Sequence, residues 1–165
     1  MEEAKLLVYK KILVPYDISQ PSDNALEQAI RLEKASPTET EIILLHVIAE
    51  IPVYPVIEQA IRSRKDSRLT AFEEHTKYIY SSMKNNATKI LDEKKRKSEQ
   101  VGLKIKIEVV QGKPVDRILE YAESKGIELI IMGSTGLSGL AKLIALGSVT
   151  RRVLERSKCP VMIVH

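Results

Sequence analysis

Five short apolar runs rich in Val and Ile limit what this chain can fold into. They are Lys11-Ile12-Leu13-Val14-Pro15, Ile42-Ile43-Leu44-Leu45-His46-Val47-Ile48, Ile105-Lys106-Ile107-Glu108-Val109-Val110, Leu129-Ile130-Ile131-Met132 and Val161-Met162-Ile163-Val164. A largely continuous apolar run has no wet face, so runs of this kind predict strands covered on both sides, as in a parallel sheet. The segments between them carry a helical period instead. Ala25, Ala29 and Ile30 mark the first helix, and Val115, Ile118, Leu119 and Ala122 mark the one before the fourth strand. Between the second and third strands, Leu69, Phe72, Thr76, Ile79, Met83, Ala87 and Ile90 predict one buried face of a long helix from about Ser67 to about Val101. Strands alternating with helices require crossover connections. The predicted architecture is therefore α/β, a single-domain doubly wound parallel sheet with helices on both faces, over residues 1–165.

Composition narrows the function. A chain of 165 residues with 44% apolar content matches one ordinary globular domain. Its 26 Lys and Arg face 22 Asp and Glu, so a net charge of +4 implies no strong field of one sign. With no Trp and a single Phe, it also lacks the stacking platforms of single-strand binders, and no nucleic-acid partner is expected. The opening Met1-Glu2-Glu3-Ala4-Lys5 does not read as a secretory leader, and no apolar run approaches the roughly 20 residues of a membrane span. A cytoplasmic protein without membrane association is expected. Cys159 is the single cysteine, which excludes an internal disulfide, and its apolar neighbours place it in a buried strand.

In a doubly wound sheet, ligands bind beyond the carboxyl ends of the strands, where strand order reverses. The fourth strand is followed by Gly133-Ser134-Thr135-Gly136-Leu137-Ser138-Gly139, and Gly147-Ser148-Val149-Thr150 opens the last helix. Glycine allows close backbone approach, and free amides at a helix start carry partial positive charge, so two such turns suit a phosphate chain. Strand-to-helix turns and helix caps use glycine for the same backbone reasons without any ligand. Neither G-x-G-x-x-G nor the P-loop pattern is present at this turn, against a Rossmann dehydrogenase or a P-loop kinase.

Met132-Gly133-Ser134-Thr135-Gly136, Leu146-Gly147-Ser148-Val149-Thr150 and Cys159-Pro160-Val161-Met162-Ile163-Val164 together resemble the universal stress protein family. Lys11 to Ser19 resembles that family's first strand and acidic turn, and Leu44-Leu45-His46-Val47 its second strand, so the resemblance covers nearly the whole chain. It implies a Rossmann-like (adenine nucleotide alpha hydrolase-like) five-stranded sheet of order 3-2-1-4-5. It also implies a homodimer through the last strand, at Val161 and Ile163. The family's ATP-binding branch carries Gly, two residues, Gly, nine residues, Gly, then Ser or Thr. Here Gly133 and Gly136 match, but ten residues, Leu137 to Leu146, precede Gly147. A helical bulge that absorbs the extra residue keeps both turns at the phosphates; without it the site narrows, towards AMP or no nucleotide.

The resemblance puts Asp17 at the ribose and adenine end, Pro15 and Tyr16 on the pocket wall, and main-chain groups of Val47 at the adenine edge. Met132, Gly133, Gly136, Gly147, Ser148 and Val149 complete the nucleotide site. A carboxylate suits sugar hydroxyls, and apolar walls with backbone amides suit adenine. The alternative for Asp17 is a turn or helix-cap residue before the first helix, with Ser19 and Ser22 as competing caps. Lys142 reads as a phosphate ligand or a solvated lysine. Any Mg²⁺ or Mn²⁺ would come with the nucleotide phosphates, since the site offers only hydroxyl and carboxylate oxygens.

No catalytic set stands out. His46 reads as a satisfied core residue, His75 lies on the wet side of the long helix, and neither has a His or Cys at ligand spacing. Lys94-Lys95-Arg96-Lys97, flanked by Asp92, Glu93 and Glu99, reads as a solvated helix end. Residues Glu50 to Lys65 read as a lid, a dimer contact or a loop. The function expected is an adenine-nucleotide (ATP or AMP) binding regulatory protein that switches an unidentified protein partner in the stress response. A nucleotide-free homodimer and a slow ATPase are the alternatives.

Overall fold

The computed structural model describes residues 8–50, 67–135 and 146–165. Gly136, Lys142 and nearly all of the Glu50 to Lys65 stretch lie outside them, as does most of the ten-residue spacing. Among the described residues the chain runs β1 (Lys11–Pro15), α1 (Gln20–Ala35), β2 (Glu41–Ala49), α2 (Ser67–Glu99), β3 (Ile105–Gly112), α3 (Pro114–Lys125), β4 (Leu129–Gly133), α4 (Ser148–Arg156) and β5 (Val161–Val164). The strands form one parallel sheet in the order β3-β2-β1-β4-β5. All five strands fall where the apolar runs predict them, and the strand order is the expected one.

Side chains on a strand alternate between faces; both faces are dry along the central strands, while edge strand β3 carries the Lys106–Glu108 ion pair and edge strand β5 is half-buried. Ile12, Val14, Ile42, Leu44, Leu129 and Ile131 pack with Ala25, Leu26 and Ala29 of α1 and with Ala87 and Leu91 of α2. The intervening residues Leu13, Ile43, Leu45, Ile130 and Met132 pack with Val115, Ile118 and Ala122 of α3 and Val153 of α4. The helices leading away from β1 thus lie on one face and those returning through β4 to β5 on the other. Strand order reverses between β1 and β4, which puts the crevice of a doubly wound sheet between those two strands.

Local chemistry sets the helix ends. Ser19 caps α1 by accepting from the Ser22 amide, Pro21 occupies its first turn, and Asp23 follows where the helix dipole favours negative charge. At the far end of α3, Gly126 adopts the left-handed conformation (φ 62°, ψ 47°) that stops a helix.

The long helix departs from its predicted pattern. Its 33 residues span about 50 Å at 1.5 Å per residue, whereas the nine residues of β2 span about 30 Å, so much of α2 extends past the sheet. Ala87, Leu91 and Ser98 are buried, while Phe72 and Met83, assigned by periodicity to the buried face, are each 42% exposed. Cys159 is also displaced from its expected place: it sits half-buried in the turn before β5, where the Ser157 hydroxyl accepts from its amide.

Candidate functional site

A cavity of ≈ 340 Å³ opens at the carboxyl ends of β1, β2 and β4, within the range of small-molecule sites, roughly 300–1,000 Å³. β1 and the turn after it contribute Pro15, Tyr16 and Asp17, and β2 contributes Leu45 and Val47. Met132, Gly133 and Thr135 come from the end of β4, and Gly147, Ser148, Val149 and Thr150 from the start of α4. Every site residue predicted from the sequence therefore lines this one cavity except Gly136 and the candidate Lys142, which lie outside the described residues. Ser22, Leu45, Pro114, Ile118, Thr135 and Thr150 line it as well and were not anticipated. Pro114 and Ile118 had no signal, because they lie on α3 and reach the site only through tertiary packing. Thr150 adjoins the Gly147-Ser148-Val149 turn and was legible as part of it.

The start of α4 is built to present its amides. Its N-cap, Gly147, supplies no side-chain hydrogen bond, and the first turn holds no acidic residue that would compete for the positive end of the dipole. The Gly147 amide donates to the Ser134 carbonyl at 2.8 Å, and the Thr150 hydroxyl donates to the Gly133 carbonyl at 2.9 Å. Those two bonds dock the helix start against the end of β4. The exposed Ser148 stands at the same point with its hydroxyl.

Gly133 is glycine for a reason the motif does not announce. A Cβ there would sit 2.6 Å from the Pro21 Cβ and 2.7 Å from the Pro21 carbonyl carbon. The end of β4 thus abuts the first turn of α1, and this contact requires glycine whether or not a ligand is bound. Gly147, at φ −57° and ψ 151°, has backbone angles open to other residues.

The acidic turn after β1 is held from several directions. The Asp17 carboxylate accepts from the Ser19 amide at 3.1 Å and from the Ser19 hydroxyl at 2.5 Å, so Ser19 is the cap of α1 and Asp17 braces it. Between them Ile18 adopts φ 69°, a left-handed conformation that is strained for a β-branched residue. Tyr16 is 2% exposed, its amide bonds the Leu45 carbonyl, and its own carbonyl accepts from His46 Nδ1 at 2.8 Å. His46 is thus hydrogen-bonded in its strand, as expected, but is half-buried rather than a core residue.

The Tyr16 phenol donates to Asp23 Oδ1 at 2.5 Å, and Lys94 of α2 reaches the same oxygen at 2.6 Å. Burial, reinforced by the Asp23 carboxylate, raises the Tyr16 phenol well above its ordinary range. For Asp23, burial pushes the carboxyl upward, but hydrogen bonds from Lys94 and Tyr16 outweigh it and hold the group below its ordinary value. Lys94 is therefore not part of a uniformly solvated helix end: Arg96 and Lys97 are exposed, while Lys94 turns inward to an ion pair. Among the described residues no group of three or more His, Cys, Asp and Glu is arranged to hold a metal ion, and no helix is long and apolar enough to cross a membrane.

A parallel doubly wound sheet, with a cavity at its strand-order reversal and a helix start on the cavity wall, places the chain in the class of doubly wound α/β domains, in which ligands bind at that reversal. The chain belongs to the universal stress protein family, whose profile matches residues 8–165. Universal stress protein MJ0577 of Methanocaldococcus jannaschii is 35% identical over 96% of this chain and 96% of its own length. Universal stress protein YxiE of Bacillus subtilis is 34% identical over 96% of this chain and its full length. The solved structure of MJ0577 superposes with a TM-score of 0.75 over 96% of both chains, at 33% identity. A universal stress protein solved in complex with cAMP is 26% identical, with a TM-score of 0.55 over 96% of this chain and 98% of its own.

Proposed function

We propose that this chain binds an adenine nucleotide, ATP or AMP, and acts in the stress response as a switch read by a partner protein. The observation that carries the reading is the pairing of two chemistries in one cavity. Apolar walls from Leu45, Val47, Ile118 and Met132 suit a base, and the start of α4, whose N-cap glycine offers no side-chain acceptor, suits a phosphate. Asp17 stands at the β1 end of that cavity, where a carboxylate accepts from sugar hydroxyls. The cAMP complex of a relative supports an adenine ligand. A divalent ion carried by a triphosphate, Mg²⁺ or Mn²⁺, suits the hydroxyl oxygen that Ser148 offers at the start of α4. β5 ends the sheet at an open edge with four half-buried residues, which supports a homodimer through Val161 and Ile163.

Gly147→Val tests the phosphate half of the site. Valine adopts the backbone angles of Gly147 but sets a branched side chain at the helix start. The expected result is a folded protein whose affinity for ATP falls at least tenfold while adenosine binding changes less. Unchanged ATP affinity overturns the placement of phosphate at α4.

A further inference from the structure

Tyr16, Asp23 and Lys94 come from three separate elements and meet on one carboxylate oxygen. Tyr16 follows β1, Asp23 lies in the first turn of α1, and Lys94 lies near the end of α2. The phenol and the ammonium both bond Asp23 Oδ1, and the Lys94 nitrogen stands 5.9 Å from the centre of the Tyr16 ring, within cation–π range. The Lys94–Asp23 ion pair links α2 to α1, beside the apolar packing of Ala87 and Leu91. The Lys94 and Asp23 side chains are 33% and 29% exposed, and the phenol is buried, so water competes only in part for these bonds.

The position of this cluster matters more than its strength. Tyr16 packs in the apolar cluster on the α1 and α2 face, while Leu45 and Met132 of the cavity wall belong to the cluster on the opposite face. The Tyr16 side chain is therefore an anchor set behind the segment Pro15-Tyr16-Asp17, which lines the cavity. The other end of that segment is fastened at Ser19, the cap of the same helix that carries Asp23. Between the two fastenings lies the strained Ile18. A left-handed β-branched residue persists only where its surroundings hold it, and the surroundings here are those two sets of hydrogen bonds.

We propose that Lys94 is a positioning residue for the ligand cavity: through Asp23 it holds the Tyr16 anchor, and with it the register of the Pro15-Tyr16-Asp17 segment against a bound nucleoside. The ligand class rests on the adenine-nucleotide reading given above. Lys94 acts from behind the sheet, adding a polar link between α2 and the cavity segment to the apolar packing of Ala87 and Leu91.

The test is the affinity of the full-length chain for adenosine and for ATP, in wild type, Lys94→Met, Lys94→Arg and Tyr16→Phe. Hydrogen exchange of the segment 15–19 is measured on the same ligand-free samples. Losing a charge-assisted hydrogen bond that sets ligand geometry is expected to weaken binding about five- to tenfold. Lys94→Met is expected to show this loss equally for adenosine and ATP, with faster exchange at 15–19, and Lys94→Arg to restore both. Tyr16→Phe is expected to reproduce it, with little further loss in the double variant. A loss confined to ATP would make Lys94 a distant charge acting on phosphate, and would overturn the inference. So would Lys94→Met with lowered thermal stability but unchanged affinity and exchange, the signature of a purely structural ion pair. Wild-type protein that binds neither ligand overturns the nucleotide reading and this inference with it, whereas normal binding by Lys94→Met overturns this inference alone.

Discussion

Replacing Gly133 with alanine separates the two reasons for a glycine at the end of β4. If the position serves only a ligand, alanine weakens binding and leaves the apo fold alone. The structure predicts otherwise. The new methyl carbon would meet the Pro21 Cβ at 2.6 Å, the Pro21 carbonyl carbon at 2.7 Å and the Pro21 oxygen at 2.8 Å. Carbon atoms rest at about 3.5–4.0 Å, so the overlap with the two carbons is roughly 1 Å. Two of the three atoms are backbone in the first turn of α1, so rotating a side chain cannot relieve it. Overpacking of this kind costs about 1–3 kcal/mol, and the backbone contact places Gly133→Ala near the upper end. For a domain of this size that is a fall in Tm of about 6–12 °C. Urea denaturation of ligand-free protein checks it, with a lower midpoint and an unchanged slope as the expected result. Apo stability within about 0.5 kcal/mol of wild type would refute the packing argument.

Three further outcomes follow from the turn after β1 and the start of α1. Asp23 titrates below its ordinary value in the folded protein, so its contribution to stability is present above the unfolded value near 3.8 and is lost as pH falls through the lower folded value. Asp23→Asn is expected to flatten the acid limb of the stability curve below about pH 4, measured by denaturation at stepped pH. Tyr16 titrates above its ordinary value of 10.0, so its stabilisation is complete below that pH and is lost as pH rises further; Tyr16→Phe removes this alkaline fall. Ile18→Gly relieves the left-handed strain at a residue already 39% exposed, and a gain of about 1 kcal/mol in thermal or urea denaturation is expected, net of glycine's greater unfolded freedom.

The central strands were legible because burial on both faces leaves a continuous apolar run, which needs no knowledge of tertiary contacts, whereas the edge strand β3 interrupts its run with Lys106 and Glu108. The site was legible at one remove. Topology names the carboxyl ends of β1, β2 and β4, and the residues there are Asp17, Val47 and Gly133. What the sequence concealed depends on distance in space. Pro114 and Ile118 carry no local mark of facing the cavity. Phe72 and Met83 share a helical face with Ala87, and periodicity does not say where the sheet ends beneath a helix. Lys94 stands in a run of four basic residues, and only the fold shows that one of them turns inward to Asp23.

The central claim is that an adenine nucleotide occupies the cavity at the start of α4, and native mass spectrometry of freshly purified protein followed by titration with Mg-ATP, Mg-AMP and Mg-GTP tests it most directly. The account predicts co-purified or micromolar-binding ATP or AMP, with GTP rejected. A protein that ignores all three nucleotides would contradict it.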